Sequence, residues 1–340
     1  MLATAFALAS CQSLADEGAS ASVTAPSPSR TDEVKALMNY ARNQGTTGLL
    51  VIQRGERLVS ATWPAPEAPL FRLFNYGKAS NGELLEDVAS QQKSFIAVLM
   101  AIAVDKALVD KARPVSDYLG EGWSKARPEQ EAQIRVADVL AMNSGLDEKF
   151  RYAAPPGEQF LYNTAVYATL KDVLTAASGL SLEALTRQWL TGPLAMRDTA
   201  WRQRPGALGD VGNATGLVTT PSDTALFGAM ILAGGTAPDG ERIVSPERLA
   251  ELFEPSASNP AYGELWWLNG SAYVVRAGDK RSEGALIPSA PEDLVAALGF
   301  LDRRLYVVPS RDLIVVRTGG AADDPDFDEN LWRKLLPILR

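Results

Sequence analysis

The chain has 340 residues, 46% of them hydrophobic and 22% charged, so it can bury a large core in one large domain or two medium ones. The 33 Lys and Arg residues against 41 Asp and Glu residues give a net charge of −8, and no basic run is interleaved with aromatic residues, which argues against a nucleic-acid partner. The absence of histidine and the single cysteine argue against the usual zinc sites, and neither a metal nor an organic cofactor is expected.

The N-terminal stretch MLATAFALASCQ is apolar, ends in small residues and contains the single cysteine, Cys11. Such a stretch predicts a secretory signal. LASC (residues 8–11) resembles the box of bacterial lipoproteins, whose cysteine carries the lipid, although no Lys or Arg precedes the apolar run. An ordinary signal peptide, or a disordered end with one stray cysteine, is the alternative. We expect an exported periplasmic protein anchored to the membrane through Cys11, with residues 1–30 as leader and flexible tether.

Both ends of the remaining chain predict a hairpin and a helix. TDEVKALMNYARNQG predicts a helix capped by Thr31 that stops at Gly45, and GLLVIQRGERLVSATW predicts a hairpin around an Arg-Gly turn. Near the other end, RLYVVPSRDLIVVRTG (304–319) predicts a second hairpin, and DENLWRKLLPIL predicts a terminal helix.

Between these ends, the apolar spacing from about Ser90 to Phe253 is mostly helical. We therefore predict an α/β (α+β) fold in which an antiparallel sheet from both chain ends is flanked by helices. Residues 31–110 and 262–340 would form this sheet domain, and residues 111–261 a mainly helical inserted domain.

The stretch SQQKSFIAVLMAIAV predicts a buried helix that begins at Ser90. Lys93 follows three residues later, on the same helix face and within reach of the Ser90 hydroxyl. Burial and the positive helix N-terminus favour the neutral amine, which can accept the serine proton so that the oxygen attacks a carbonyl carbon. The alternative is a helix-capping serine with a solvated first-turn lysine.

A tyrosine opens another predicted helix. In PPGEQFLYNTAVYATL, Tyr162 is followed by Asn163 and Thr164 directly after a Pro-Gly turn. A tyrosine at such a helix start can lie beside the nucleophile and relay a proton to the leaving group. A place in the core or at the rim is the alternative.

The order of these motifs resembles the serine β-lactamase and penicillin-binding-protein superfamily, with Ser-x-x-Lys, SGL (144–146), PPG and F-x-Y-N-T, then GPLAM-x-D-T-A-W. Within it, the chain is most similar to the class C-like branch of β-lactamase-fold esterases, D-aminopeptidases and nylon-oligomer hydrolases. The resemblance covers roughly residues 85–340. It implies a β-lactamase/transpeptidase-like fold.

The resemblance also implies a role for each residue. Ser90 would be the acylated nucleophile, Lys93 its general base, and Tyr162 would assist deprotonation and then protonate the leaving group. The family's third motif is Lys or His, any residue, then Gly, and its best match here is Ala297-Leu298-Gly299. The oxyanion hole would then consist of the backbone N–H groups of Ser90 and Phe300.

Two departures from the family pattern bear on the substrate. Thr164 stands where many relatives have asparagine, and Ala297 cannot bind a carboxylate, which argues against an efficient β-lactamase or DD-peptidase. Arg303 or Arg304 is a substitute cation, but in a strand they point to opposite faces and one is expected to be solvated. Asp302 occupies a position where close relatives tend to have glycine.

Further residues are candidates for substrate binding. Tyr152, Trp266 and Trp267 are aromatic candidates for an apolar acyl pocket, but paired tryptophans in a strand face opposite ways, so at most one, taken as Trp267, is expected at the site. The predicted substrate-binding residues are therefore Tyr152, Trp267, Thr164, Ala297 and Gly299.

Three functions remain open. We expect a serine hydrolase that works through an acyl-enzyme on small-molecule esters or amides. A D-amino-acid peptidase, DD-peptidase or linear-amide hydrolase of the same fold is one alternative. An inactive penicillin-binding-like lipoprotein that binds cell-wall peptide is the other. The chain has no GxSxG elbow, which argues against an α/β-hydrolase.

Overall fold

A computed structural model describes residues 29–340, except residues 210, 211, 277 and 279. The predicted leader, with Cys11, lies outside the described residues. Twelve strands occur in the part that the structure describes: β1 (Thr46–Gln53), β2 (Glu56–Thr62), β3 (Asn75–Lys78), β4 (Leu84–Asp87), β5 (Ala200–Gln203), β6 (Thr215–Thr219), β7 (Trp267–Leu268), β8 (Tyr273–Arg276), β9 (Lys280–Glu283), β10 (Val295–Gly299), β11 (Arg303–Val308) and β12 (Leu313–Gly319).

Twelve α-helices occur in the same residues: α1 (Arg30–Asn43), α2 (Pro69–Arg72), α3 (Gln92–Asp105), α4 (Ser116–Leu119), α5 (Pro128–Glu131), α6 (Val136–Leu140), α7 (Thr164–Ser178), α8 (Leu182–Thr186), α9 (Gly206–Gly209), α10 (Pro221–Leu232), α11 (Pro246–Glu251) and α12 (Phe327–Leu335). A π-helical turn at Arg187–Thr191 extends α8, and short 3₁₀ turns lie at Ala89–Gln91, Pro309–Arg311 and Leu336–Ile338. Among the described helices, none is long and apolar enough to cross a membrane.

The main sheet is built from both ends of the chain. Its six strands run in the order β2-β1-β12-β11-β10-β7, and every neighbouring pair is antiparallel. Every residue of β11 and β12 is buried, so both faces of the sheet centre are covered. Helices α1, α12 and α10 flank the sheet. The predicted fold class, with a hairpin and a helix at each end, is confirmed.

A second sheet lies beside the first and was not predicted. Its order is β3-β4-β6-β5, and β4 pairs with β6 through Glu86 opposite Thr219 and Asp87 opposite Val218. Strands β5 and β6 fall within residues 111–261, so this mainly helical range also contributes strands. The division into domains stays a prediction.

Two helix starts differ from the sequence prediction. Ser29, and not Thr31, caps α1, because its side chain accepts a hydrogen bond from the Asp32 N–H. Helix α3 begins at Gln92, and Ser90 lies in the preceding 3₁₀ turn. The predicted burial of this helix is correct, since every residue from Gln92 to Ala103 is buried.

Candidate active site

Ser90 is presented by a sharp turn between β4 and α3. The preceding residue, Ala89, has φ +51°, a left-handed conformation that costs a non-glycine residue on the order of 1 kcal/mol or more. The Asp87 carboxylate holds this turn, because its Oδ1 accepts a 2.8 Å hydrogen bond from the Ala89 N–H. Ser90 itself is partly exposed and lines a cavity. The turn therefore places the Ser90 hydroxyl just before a buried helix, at the wall of a cavity.

Lys93 lies directly behind this hydroxyl. Its Nζ donates to Ser90 Oγ at 3.0 Å and to Thr164 Oγ1 at 3.2 Å, and the residue is only 2% exposed. Burial lowers the pKa of Lys93 well below its ordinary value, and the positive charges of Arg204 and Lys171 lower it further. No carboxylate forms a salt bridge with it among the described residues. This environment favours a neutral amine in contact with the serine.

Tyr162 lies against the same lysine. The Lys93 Nζ is 4.8 Å from the centre of the Tyr162 ring, and the Trp267 ring stacks on the Tyr162 ring at a centroid distance of 5.8 Å. Burial raises the pKa of Tyr162 to about 12, while the Ser90 hydroxyl, a hydrogen-bonding neighbour, acts in the opposite direction. Tyr162 is thus a phenol near neutral pH and can donate its proton.

The start of α7 fixes Tyr162 in place. Asn163 is the N-cap of this helix: its side chain accepts from the Val166 N–H at 3.1 Å and donates to the Leu146 carbonyl at 3.0 Å. Gly145, in the SGL motif, has φ +74°, and a Cβ there would lie 2.0 Å from the Ala154 carbonyl oxygen. The SGL motif therefore contacts both Asn163, next to Tyr162, and the chain at Ala154, and so helps to hold Tyr162 in position.

The segment Ala297-Leu298-Gly299 lies on β10, beside the serine turn. Ala297 is fully buried opposite Leu305 and brings no charge. At Gly299 the strand comes so close to the backbone before the serine turn that a Cβ would lie 2.3 Å from the Val88 carbonyl oxygen. Glycine is needed here because the two backbones touch.

The cavity at Ser90 has a volume of about 320 Å³ and is largely apolar. Phe74 and Phe300 are in tilted contact on its wall, with centroids 5.9 Å apart, and Phe300 is 57% exposed at the hairpin tip between β10 and β11. Eight residues line it: Phe74, Ala89, Ser90, Thr164, Arg204, Leu208, Asn213 and Phe300. Ser90 and Phe300, the predicted oxyanion-hole residues, thus share one cavity.

A neighbouring cavity of about 540 Å³ opens on the other side of Thr164, which lines both. It is lined by Glu148, Lys149, Phe150, Tyr162, Thr164, Ala165 and Gly212. Tyr152 lines neither cavity and pairs with Leu146 in an isolated bridge. Trp267 contacts Tyr162, whereas Trp266 is fully buried against Phe253. The two tryptophans thus pack against different aromatic residues, and of the two it is Trp267 that contacts Tyr162.

The expectation that one of Arg303 and Arg304 is solvated is wrong. Arg303 is fully buried and donates to Glu86 at 2.8 Å, and Arg304 is 8% exposed and donates to Asp328 at 2.8 Å and to Asp302 at 2.6 Å. Two of these partners, Glu86 and Asp328, are distant in sequence, so the strand pattern does not reveal them. Both guanidinium groups therefore form ion pairs inside the protein.

Asp302 now has a structural explanation. It has φ +54°, a conformation that glycine adopts freely and aspartate tolerates better than most residues. Its carboxylate also accepts from the Ala322 N–H at 2.8 Å, in addition to Arg304. Aspartate thus replaces glycine where its side chain closes the hairpin.

Sequence reasoning missed five residues of the cavity wall: Phe74, Ala89, Arg204, Leu208 and Asn213. Arg204 is paired with Asp87 through bonds of 2.7 and 2.9 Å, and its Nη1 donates to the Asn213 carbonyl at 3.1 Å. No spacing links these segments along the chain. Only the pairing of β4, β6 and β5 brings them together.

Comparison with known proteins identifies the family. The model of the Beta-lactamase family matches residues 33–330. Among solved structures, a provisionally assigned beta-lactamase from Bacteroides dorei DSM 17855 superposes with a TM-score of 0.67 at 15% identity, covering 91% of this chain and 97% of that one.

Two further solved structures are similar. A provisionally assigned 6-aminohexanoate-dimer hydrolase from Bacillus anthracis has a TM-score of 0.65 at 14% identity, covering 89% of this chain and 81% of its own. A beta-lactamase from Mycobacterium bovis has a TM-score of 0.62 at 16% identity, covering 90% and 100%. No curated protein matches the chain. At these identities the structural matches establish the fold.

Proposed function

The chain belongs to the beta-lactamase family, and we propose that it is a serine hydrolase that forms an acyl-enzyme on Ser90. The observation that carries this proposal is the 3.0 Å contact between Ser90 Oγ and the buried amino group of Lys93. A neutral amine at this distance is a base within reach of the proton that must leave.

Acylation follows from the contacts around Ser90. Its oxygen attacks the substrate carbonyl carbon while its proton passes to Lys93 Nζ. The negative oxygen that develops is stabilised by the backbone N–H groups of Ser90 and Phe300. When the tetrahedral intermediate collapses, the bond to the leaving group breaks and Tyr162 donates its phenolic proton to that group. Lys93 then returns a proton to Tyr162, so that both side chains regain their resting state.

Deacylation repeats these steps with water. Water attacks the acyl carbon and gives its proton to Lys93, and the bond to Ser90 Oγ breaks. The serine oxygen takes the proton back, and the carboxylic acid product leaves. The rise of the pKa of Tyr162 to about 12 supports its role as a proton donor and leaves Lys93 as the base.

The cavity favours a neutral, apolar acyl group. Phe74, Leu208 and Phe300 supply its apolar wall, and the charge of Arg204 is already paired with Asp87. Ala297 adds no cation, and Arg303 and Arg304 are held in internal ion pairs. Short-chain neutral esters are therefore the substrates we propose, and carboxylate-bearing β-lactams and D-peptides are expected to react poorly.

A linear amide is the second substrate class. The similar fold of the 6-aminohexanoate-dimer hydrolase from Bacillus anthracis, named for a linear amide, favours it. The wide cavity beside Tyr162, with Glu148 and Lys149 on its wall, has room for an amine leaving group. Binding of cell-wall peptide is a proposal that rests on the sequence alone. The same holds for attachment to the periplasmic face of a membrane through Cys11.

The test is a burst assay with a short-chain p-nitrophenyl ester on four proteins: wild type, Ser90→Ala, Lys93→Met, and Ser60→Ala as a matched control on exposed β2. Intact-mass spectrometry would look for the acyl adduct in each. We expect a burst and an adduct in wild type and in Ser60→Ala only. Equal residual rates in all four proteins, without an adduct, would leave an inactive binding protein on this scaffold.

A further inference from the structure

A second buried lysine lies beside the site and has no part in the steps above. Lys171, on α7, is 7% exposed. Its Nζ donates to three oxygens: Gln92 Oε1 at 2.9 Å, Asn213 Oδ1 at 2.6 Å and the Thr215 carbonyl at 2.7 Å.

These partners select the charged form of Lys171. All three oxygens are acceptors only, and an ammonium group has three N–H donors, one for each. A neutral amine has two donors and a lone pair, so one oxygen would face that lone pair. The partners of Lys93 are different, because the hydroxyls of Ser90 and Thr164 can donate as well as accept. The hydrogen-bond partners of Lys171 therefore favour its ammonium form, whereas those of Lys93 are compatible with a neutral amine.

The partners of Lys171 lead directly to the nucleophile. Gln92, which accepts from Lys171, donates through Nε2 to the Ala89 carbonyl at 2.9 Å. Ala89 is the left-handed residue that precedes Ser90. Asn213 lines the Ser90 cavity. One ammonium therefore anchors both the serine turn and a wall of the cavity.

Both lysines also lie against the ring of Tyr167. Lys93 Nζ is 4.8 Å and Lys171 Nζ 5.7 Å from the centre of this ring, so the two groups are within roughly 10 Å of each other. The other charges near Lys171 are Arg204, Asp87 and, on its own helix, Asp172. Asp87 is already paired with Arg204, which limits its influence.

Burial and the charge of Arg204 lower the pKa of Lys171 to about 7, against the opposite influence of the Asp87 and Asp172 carboxylates. For Lys93, the charge of Lys171 is one of the causes that lower the pKa, after burial and Arg204. The hydrogen-bond partners, three acceptor oxygens at Lys171 and two hydroxyls at Lys93, favour the ammonium form at Lys171.

We infer that Lys171 is a positioning residue of this site: its ammonium holds the Ala89–Ser90 turn and the Asn213 wall, and its charge helps to keep the Lys93 amine unprotonated. The inference rests on the proposed function and adds a residue that touches neither substrate nor nucleophile. Removal of the charge raises the pKa of Lys93. On the acidic limb of the pH profile, where Lys171 is charged, the midpoint of kcat/KM then moves up by about one pH unit.

The experiment compares four variants with wild type. Lys171→Met removes the charge and the donors, Lys171→Gln removes the charge but keeps an N–H donor, and Lys171→Arg keeps the charge. Lys106→Met, at an exposed lysine on the C-terminal end of α3, is the matched control. The pH profile of kcat/KM is measured for each protein, and the titration of the Lys93 side chain is followed by NMR of labelled lysine.

We expect the acidic midpoint and the Lys93 titration to move up by about one unit in Lys171→Met and Lys171→Gln, and to stay near wild type in Lys171→Arg and Lys106→Met. An unchanged Lys93 titration in a folded, neutral variant overturns the inference, even if the rate falls. The NMR titration needs no turnover. A wild-type protein without Ser90-dependent acylation would therefore refute the proposed function, while the titration still decides the inference.

Discussion

The carboxylate of Asp87 and the guanidinium of Arg204 form a two-bond pair, at 2.9 and 2.7 Å, beneath the turn that carries Ser90. Both side chains are nearly inaccessible, at 0% and 6% exposure. Gly216 makes room for the pair, because a Cβ there would lie 2.1 Å from Asp87 Oδ2. Since Asp87 also holds the Ala89 N–H, the turn and the cavity wall depend on the same carboxylate.

Asp87→Asn is expected to lower the free energy of unfolding by about 3–5 kcal/mol, because it leaves the Arg204 charge buried without its counter-charge. Chemical denaturation measures the loss. Asp147→Asn is the control, since its partner Arg151 is exposed and little stability should be lost. Equal losses in the two variants would contradict the structural importance of the buried pair.

Tyr162→Phe is expected to slow the hydrolysis of alkyl esters by about 10²–10⁴-fold, because their leaving alcohol needs the phenolic proton. The loss for p-nitrophenyl esters should be much smaller, since that leaving group departs without a proton. Rates for a matched pair of alkyl and p-nitrophenyl esters measure the difference. A uniform loss on both substrates would speak against proton donation by Tyr162.

Phe74→Ala should shift acyl preference toward longer or bulkier groups, because it deepens the apolar wall of the Ser90 cavity. The values of kcat/KM for a series of p-nitrophenyl esters of increasing acyl length report the shift. Phe150→Ala is the control on the neighbouring cavity and should leave acyl preference unchanged. If the two variants give the same chain-length profile, the acyl group does not occupy the Ser90 cavity.

Gly299→Ala is expected to reduce kcat by at least about tenfold, because the new Cβ would press on the Val88 carbonyl, 2.3 Å away, and move the oxyanion donor at residue 300. Gly206→Ala is the control, since open space surrounds that position. Steady-state kinetics and thermal unfolding of both variants separate lost catalysis from lost stability. Full activity of Gly299→Ala would place the oxyanion hole elsewhere.

Stability should rise with pH between about pH 7 and 10. Burial lowers the pKa of Lys93 well below 10.5 and that of Lys171 to about 7, whereas both keep ordinary values in the unfolded chain. In this window the unfolded chain binds more protons, so the free energy of unfolding increases with pH. A shift from 10.5 to about 7 accounts for at most about 4–5 kcal/mol for Lys171. Urea denaturation at several pH values checks the slope, which Lys171→Met should reduce.

Sequence reasoning found the candidate residues that short local motifs bring together. Ser90 and Lys93 are one helical turn apart, and Tyr162 follows a Pro-Gly turn at a helix start, and the structure places all three side by side. The hairpins at the two chain ends are likewise encoded in alternating apolar residues around turns. Such features need no knowledge of tertiary contacts.

The residues missed by sequence reasoning meet only through strand pairing. Arg204 and Asp87 are joined because β4 and β5 both pair with β6. One signal was available: Tyr167, Leu170, Lys171 and Leu174 share the spacing of one buried helix face, so a lysine on that face is exceptional. Buried lysines on apolar helix faces therefore merit attention in other sequences.

Phe300 contributes to the site through both its side chain and its backbone N–H group. Its side chain, 57% exposed, forms part of the cavity wall, while its backbone N–H is the proposed second donor to the oxyanion. Every amino acid except proline has that N–H, so exchanging the side chain leaves the donor in place. If the proposed function holds, a single codon change at this hairpin tip alters which acyl groups fit and leaves the N–H donor to the oxyanion unchanged. Substrate preference could then change there in single steps that preserve activity.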